Sequence, residues 1–170
     1  MIRPIVLFGE EVLDKPAEPV DRIGDDEIKL VQDMVETMYK APGVGLAANQ
    51  VGVAKRIMVT DPSAGEKKNQ LITIVNPEIV ATDGEQYEEE GCLSVPGFTA
   101  EVIRPKKVVL RGVDLNGKEV VVEGSDLLAR AFCHEMDHLN GVFFLDHLSF
   151  IKRDMIKRRI RKMIKQGKWE

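Results

Sequence analysis

Two histidines four residues apart, in His134-Glu135-Met136-Asp137-His138, carry the most chemical information in this chain. Side chains at i and i+4 leave one helical face about a turn apart, so both imidazoles can reach a single divalent ion. Glu135 follows the first imidazole and would stand beside such an ion rather than on it. An ion held in this way lowers the pKa of bound water from 15.7 to about 7, and a neighbouring carboxylate can take up the proton. The spacing therefore predicts metal-assisted hydrolysis with Glu135 as general base.

The third ligand separates the classes of metallohydrolase. The extended metzincin motif needs another histidine six residues after His138; here Gly141 is kept but Phe144 stands in the ligand position, which excludes that class. Thermolysin-like enzymes take a glutamate from a later helix. Between His138 and Glu170 the acids are Asp146, which follows closely, and Asp154, set in a strongly basic segment, and neither makes an attractive ligand. His147, the third histidine, reads as an ordinary partly buried side chain. The remaining candidate is Cys92, in Glu89-Glu90-Gly91-Cys92-Leu93-Ser94-Val95-Pro96-Gly97. A cysteine taken alone is more often a small buried apolar residue, but a two-histidine helix still lacking a ligand reverses that reading.

Three segments, Gly43-Val44-Gly45-Leu46-Ala47-Ala48-Asn49-Gln50-Val51-Gly52, Glu90-Gly91-Cys92-Leu93-Ser94 and His134-Glu135-Met136-Asp137-His138-Leu139-Asn140-Gly141, match in order and spacing the motifs of peptide deformylases. The chain resembles the type 1 bacterial members over nearly its whole length, including the opening Ile2 to Pro16 stretch and the closing basic helix. The resemblance implies removal of the formyl group from the N-terminal formylmethionine of nascent peptides, with release of formate. Cys92, His134 and His138 would bind Fe(II), one per chain, at a site that Zn(II), Ni(II) or Co(II) can also occupy. It further implies that the Gln50 side-chain amide and the Leu93 backbone N–H form the oxyanion site. Val44, Gly45, Leu127 and Ala131 would border a pocket for the methionine side chain.

Two positions depart from the family pattern. Cys133 stands where glutamine is common; on a helix it points about 100° from His134 and reads as buried packing. Thr99 replaces an arginine that holds the substrate backbone in many relatives, which leaves Arg104 as a candidate substitute. Two other functions stay in view: a metallopeptidase cleaving internal peptide bonds, and a catalytically silent metal-bound module of the ribosome or another RNA. The first would call for a downstream glutamate ligand, and the second for loss of Glu135, Gln50 or Cys92.

These residues need a scaffold, and the composition supplies one. At 170 residues, 44% hydrophobic and 31% charged, the chain is expected to form one domain with a sizeable core. The two cysteines lack the spacing of a disulfide framework, and a thiolate ligand needs reducing surroundings. No apolar run approaches 18 residues and no secretory or organellar leader is apparent, so a bacterial cytoplasmic protein is expected in preference to an already processed organellar one, with no membrane or DNA partner. The glycines of Gly43-Val44-Gly45 complete no phosphate-binding pattern; their expected use is close approach of a peptide backbone.

The expected architecture is α+β, with mixed or antiparallel sheets packed around a central metal-binding helix and an additional C-terminal helix. Asp25 can cap a first helix carrying Ile28, Val31, Met34, Val35 and Met38 on one face, ending near Ala41-Pro42-Gly43. Strands are expected at 56–60 and 71–75, separated by the polar loop 61–68, and at 107–113 and 118–122 about an Asp114-Leu115-Asn116-Gly117 turn. Ser125 would cap the metal-binding helix, placing Leu127, Ala131, His134, Glu135 and His138 on one side.

From Phe150 to Glu170 nine basic residues oppose two acidic ones, a net of +7 in a chain of net −4. Ile156, Ile160, Met163 and Ile164 form a stripe among them, on a helix expected at about 150–168. The plain reading is a solvated helix docked on its own domain. By resemblance this helix would bind the ribosome near the exit tunnel, and truncation after Phe150 would leave hydrolysis of a short peptide intact.

Overall fold

The computed structural model describes residues 1–170; after a short 3-10 turn at Glu11–Leu13 comes the first α-helix, α1, Asp25–Lys40. Leu30, Val31, Met34 and Met38 recur at helical spacing and are buried. The cap differs from expectation: Gly24 holds the N-cap position, its N–H donating to Glu27 Oε2 at 3.0 Å, and Asp25 lies inside the first turn. A glutamate three residues in can reach back to an orphan N–H, and Asp25 and Asp26 still favour the positive end of the helix.

Seven strands follow: β1 (Gly45–Ala47), β2 (Ile57–Thr60), β3 (Ile72–Asp83), β4 (Gln86–Gly91), β5 (Thr99–Arg104), β6 (Lys107–Val113) and β7 (Glu119–Ser125). They form an antiparallel five-stranded sheet in the order β1-β2-β3-β6-β7 and a separate antiparallel pair, β4-β5. The β6–β7 turn falls where expected. Asp114 Oδ1 accepts from the N–H groups of Asn116 and Lys118 at 2.9 and 3.0 Å, and Gly117 supplies the φ of +80° that an L side chain resists. Strand β3 runs well past the expected 71–75 because its second half, exposed from Glu78 onward, is held by pairing with β6 rather than by burial.

Helix α2, Leu127–Leu139, lies on the five-stranded sheet. Its Ala129, Phe132, Cys133, Met136 and Leu139 pack against Ala47, Met58, Ile74, Val108 and Leu110. Burial of each larger side chain contributes roughly 1.5–3 kcal/mol before entropy is counted. The approach requires glycine at 124, where a Cβ would meet the Phe132 ring at 2.7 Å. Ser125 does not cap this helix. It closes the β7 ladder opposite Lys107, and Asp126 turns the chain instead, with a φ of +55° and its carbonyl accepting from Gln86 Nε2 at 2.8 Å.

Helix α3, Phe150–Lys165, is capped by Ser149. Ile160 is fully buried against a third cluster that includes Leu13, Val95, Val102, Phe143, Phe144 and Leu145. Through Ile160 and the partly buried Ile156 the helix docks on the chain's own core, while Ile164 stays half-exposed, and truncation after Phe150 would strip part of that core away.

Candidate functional site

The turn leaving β4 carries Cys92 to the face of α2 that bears the two histidines. Cys92 Sγ lies 3.1 Å from His138 Nε2, and His138 Nε2 lies 3.2 Å from His134 Nε2. All three donor atoms fall within 4.8 Å of one another. Two imidazole nitrogens and one sulfur so arranged suit a divalent transition ion, with room for a fourth ligand. Cys133 points into the core behind α2, where burial pushes its thiol up to about 11.

Glu90, two residues before Cys92, determines which nitrogen of His134 is free. Its Oε2 lies 2.7 Å from His134 Nδ1, leaving Nε2 to face the other donors. Glu90 is in turn gripped by Arg104 at 2.7 and 3.0 Å and by Arg130 at 2.9 Å. Burial opposes charge on this carboxylate, but the bonds from His134 and Arg104 outweigh it and hold the group well below the usual carboxylate range. Arg104 also donates to Asp137 at 2.8 Å, and Asp137 meets the half-exposed His147 at 2.7 Å. Nδ1 of His138 is buried without a partner, while its backbone carbonyl accepts from Asn49 Nδ2.

This network corrects one expectation. Arg104 is only 4% exposed and committed to Glu90 and Asp137, so it does not replace the missing arginine as a substrate-backbone contact. Thr99, at that position, lines the cleft. Glu90, Arg130 and Asp137 took no role in the sequence reading. The available signal was chemical: a ligand histidine needs a partner on its second nitrogen, and a carboxylate close to the ligand cysteine is a natural source.

Glu135 is buried beside these three donors. Burial raises its carboxyl to about 7, against the opposing effect of His134. The β1 backbone passes so close that a Cβ on Gly45 would stand 2.9 Å from Glu135 Oε2. Gln50 is also buried; its Oε1 accepts from Ala47 N–H at 3.0 Å, and its Nε2 donates to Ser94 Oγ at 3.1 Å and faces Cys92 Sγ at 3.8 Å.

A cleft of about 470 Å³ opens at this cluster, and Val44, Gly45, Gln50, Leu93, Leu127 and Ala131 all line it with Cys92, His134 and Glu135. His138 alone of the expected site residues lies behind that lining. Its wall near α2 also includes Arg130, whose charge is turned away toward Glu90. The arrangement offers three converging metal donors, a buried carboxylate of raised pKa and a largely apolar recess beside them. These are the requirements for metal-assisted amide hydrolysis.

Comparison with known proteins agrees. The sequence profile of the polypeptide deformylase family matches residues 2–154. A peptide deformylase of Acidobacterium capsulatum is 49% identical over 169 residues, which cover 99% of each chain. One from Thermodesulfovibrio yellowstonii is 47% identical over 160 residues, 94% of this chain and 97% of that one. The crystal structure of a peptide deformylase from Legionella pneumophila superposes with a TM-score of 0.91 at 44% identity, covering 100% of this chain and 99% of that chain. The Ehrlichia chaffeensis enzyme in complex with actinonin gives a TM-score of 0.86 at 39% identity, with 95% and 96% covered.

Proposed function

The chain belongs to the peptide deformylase family and removes the N-formyl group from the formylmethionine of nascent proteins, releasing formate; we propose that it works through the following residues. Cys92, His134 and His138 hold the metal ion, Glu135 is the general base, and Gln50 with the Leu93 N–H receives the developing oxyanion. What supports this reading is the convergence of the three donor atoms within 4.8 Å of one another beside the buried Glu135 and the cleft.

A divalent ion held there supplies Lewis acidity and makes water a stronger nucleophile. Glu135 takes the proton of the attacking water on a carboxylate oxygen, then delivers it to the amine nitrogen as the formyl C–N bond breaks. Burial favours the protonated state through which Glu135 passes between the two transfers. The Gln50 amide and the Leu93 N–H, which donates to no acceptor within the protein, stabilise charge on the formyl oxygen. Val44, Gly45, Leu127 and Ala131 receive the methionine side chain.

In this reading the native ion is Fe(II), as family membership implies; soft thiolate ligation accommodates it, and Zn(II), Ni(II) or Co(II) can replace it. The 170 residues act as one domain in the cytoplasm, and the basic α3 meets the ribosome. No helix is long and apolar enough to cross a membrane.

The test compares formate release from formyl-Met-Ala-Ser with cleavage of unformylated Met-Ala-Ser, using anaerobically purified enzyme whose metal is quantified. Formate from the first and an intact second peptide are expected. Cleavage of internal peptide bonds would instead identify a metallopeptidase.

A further inference from the structure

The opening segment and the far end of the chain meet at the catalytic loops. Val6 N–H donates to the Gln50 carbonyl at 2.7 Å, and Phe8 N–H donates to the Ser94 carbonyl at 2.8 Å. The same Phe8 accepts, on its carbonyl oxygen, the indole N–H of Trp169 at 2.9 Å. One peptide unit on either side of Phe8 therefore ties the C-terminal tail to the loop that presents Leu93 N–H. Gln50 and Ser94 are joined directly as well, through Nε2 and Oγ at 3.1 Å.

A second link runs through side chains. The Trp169 ring lies 6.3 Å, centroid to centroid, from Phe98, and Phe98 lines the cleft. Arg159 of α3 sits over the same Phe98 ring at 5.3 Å, and Lys157 over Phe8 at 5.9 Å. The tail thus touches both the wall of the substrate recess and the strap behind the oxyanion loops.

We propose that Trp169 is a positioning residue for the deformylation site, holding the Gln50 and Ser94 loops through Phe8 and the cleft wall through Phe98. This rests on the assignment of Gln50 and Leu93 to the oxyanion site. Catalytic donors work only when held in place before the reaction; a displacement of about 1 Å can cost up to roughly 10²-fold in rate. A hydrogen bond to the strap and an aromatic contact with the wall each restrain such displacement.

The two links separate by substitution. Trp169→Phe keeps a ring against Phe98 but loses the donor to Phe8, so kcat should fall while KM stays near normal. Trp169→Ala loses both, so kcat should fall roughly tenfold, short of the 10²–10³ of a deleted donor, and KM should rise. Trp169 is also the single tryptophan of the chain. Titrating the metal-loaded enzyme with the product peptide Met-Ala-Ser should therefore change its emission and saturate with peptide occupancy.

Unchanged kcat and KM in Trp169→Ala, or emission indifferent to saturating peptide, overturns the proposal. Should Trp169→Ala fail to fold by circular dichroism, Trp169→Phe decides, and an unaltered kcat there overturns it. Gln50→Ala serves as the parallel control. Normal turnover in that variant removes the oxyanion assignment itself, whereas a slow Gln50→Ala beside a normal Trp169→Ala removes only the role of the tail.

Discussion

Glu90 Oε2 and His134 Nδ1 stand 2.7 Å apart, and this contact ties a buried carboxylate to the proposed metal centre without its joining the three donor atoms. It fixes the tautomer and the ring plane of His134, while Arg104 and Arg130 fix Glu90. Partners of this kind commonly alter metal affinity by about 10–100-fold when lost.

Glu90→Gln keeps an acceptor for His134 but loses the charge shared with two guanidinium groups. Metal affinity, read by competition with a chromogenic chelator, should fall by about tenfold, within the range seen for such partners. Glu90→Ala should fall further and lose stability, because Arg104 would keep a buried charge with one partner fewer. Wild-type affinity in folded Glu90→Gln would remove the carboxylate from the workings of the site.

The base and its approach make a pair of variants. Glu135→Gln preserves shape and should lose at least about 10² in kcat with metal still bound, in keeping with general-base catalysis. Gly45→Ala places a methyl 2.9 Å from the Glu135 carboxylate, so the base must shift or β1 must move. Its kcat should fall as well, with metal content unchanged. Near-normal turnover in metal-loaded Glu135→Gln would sink the assignment.

The convergence of the two imidazoles was legible in the sequence because helical spacing converts directly into geometry: His134 and His138 had to share a face, and Cys133 had to leave it. The strands β6 and β7 were legible for a similar reason, an alternating pattern about a turn with a physical mechanism. The β4–β5 pair was not. Gln86 to Gly91 reads as a run of charge, since its outward residues Tyr87 and Glu89 meet solvent and its inward Glu90 is buried only against Arg104, Arg130 and His134. A buried polar network leaves no apolar periodicity to detect. The Phe8 to Trp169 contact joins residues 161 positions apart and has no local signature at all.

The two cysteines should separate cleanly. Cys92→Ala should lose metal and activity, and Cys133→Ala should keep both. After metal removal, alkylation at pH 8 should label Cys92 in preference to Cys133, whose thiol burial pushes up to about 11. Equal metal loss in both folded variants would contradict the ligand set. If iron is the native ion, peroxide should inactivate the Fe(II) form faster than the Zn(II) form, and equal rates would clear iron oxidation as the weak point.

Acid sensitivity should come in part from Asp33, a buried carboxylate on α1. Lys29 at 2.6 Å, the Met1 amino group at 2.9 Å and Arg3 at 2.9 Å hold it well below the usual carboxylate range, against the effect of burial. A depressed folded-state pKa means that the unfolded chain binds the proton more readily. The stabilisation is then complete above the unfolded value of about 4 and is lost as the pH falls toward the folded one. Urea denaturation of wild type and Asp33→Asn should show their largest difference near neutrality and a shrinking one below about pH 4. A difference independent of pH would show that Asp33 contributes through packing rather than charge.

The basic helix calls for charge substitution rather than truncation, because Ile160 is part of the core and Arg159 and Lys157 face Phe98 and Phe8. Lys152, Arg161, Lys162 and Lys165 are exposed on α3, the first of them beside the uncovered Phe150 and Ile151 at its N-terminal end. Changing those four cations to glutamine leaves every contact with the core in place. If α3 meets ribosomal RNA, co-sedimentation should weaken, and the slope of log K against log salt should flatten by roughly 0.7–0.9 for each phosphate contact removed. Hydrolysis of formyl-Met-Ala-Ser should be unaffected, since none of the four lines the cleft. An unchanged salt slope would mean that these charges serve solubility alone, and the ribosome reading of α3 would fall with it.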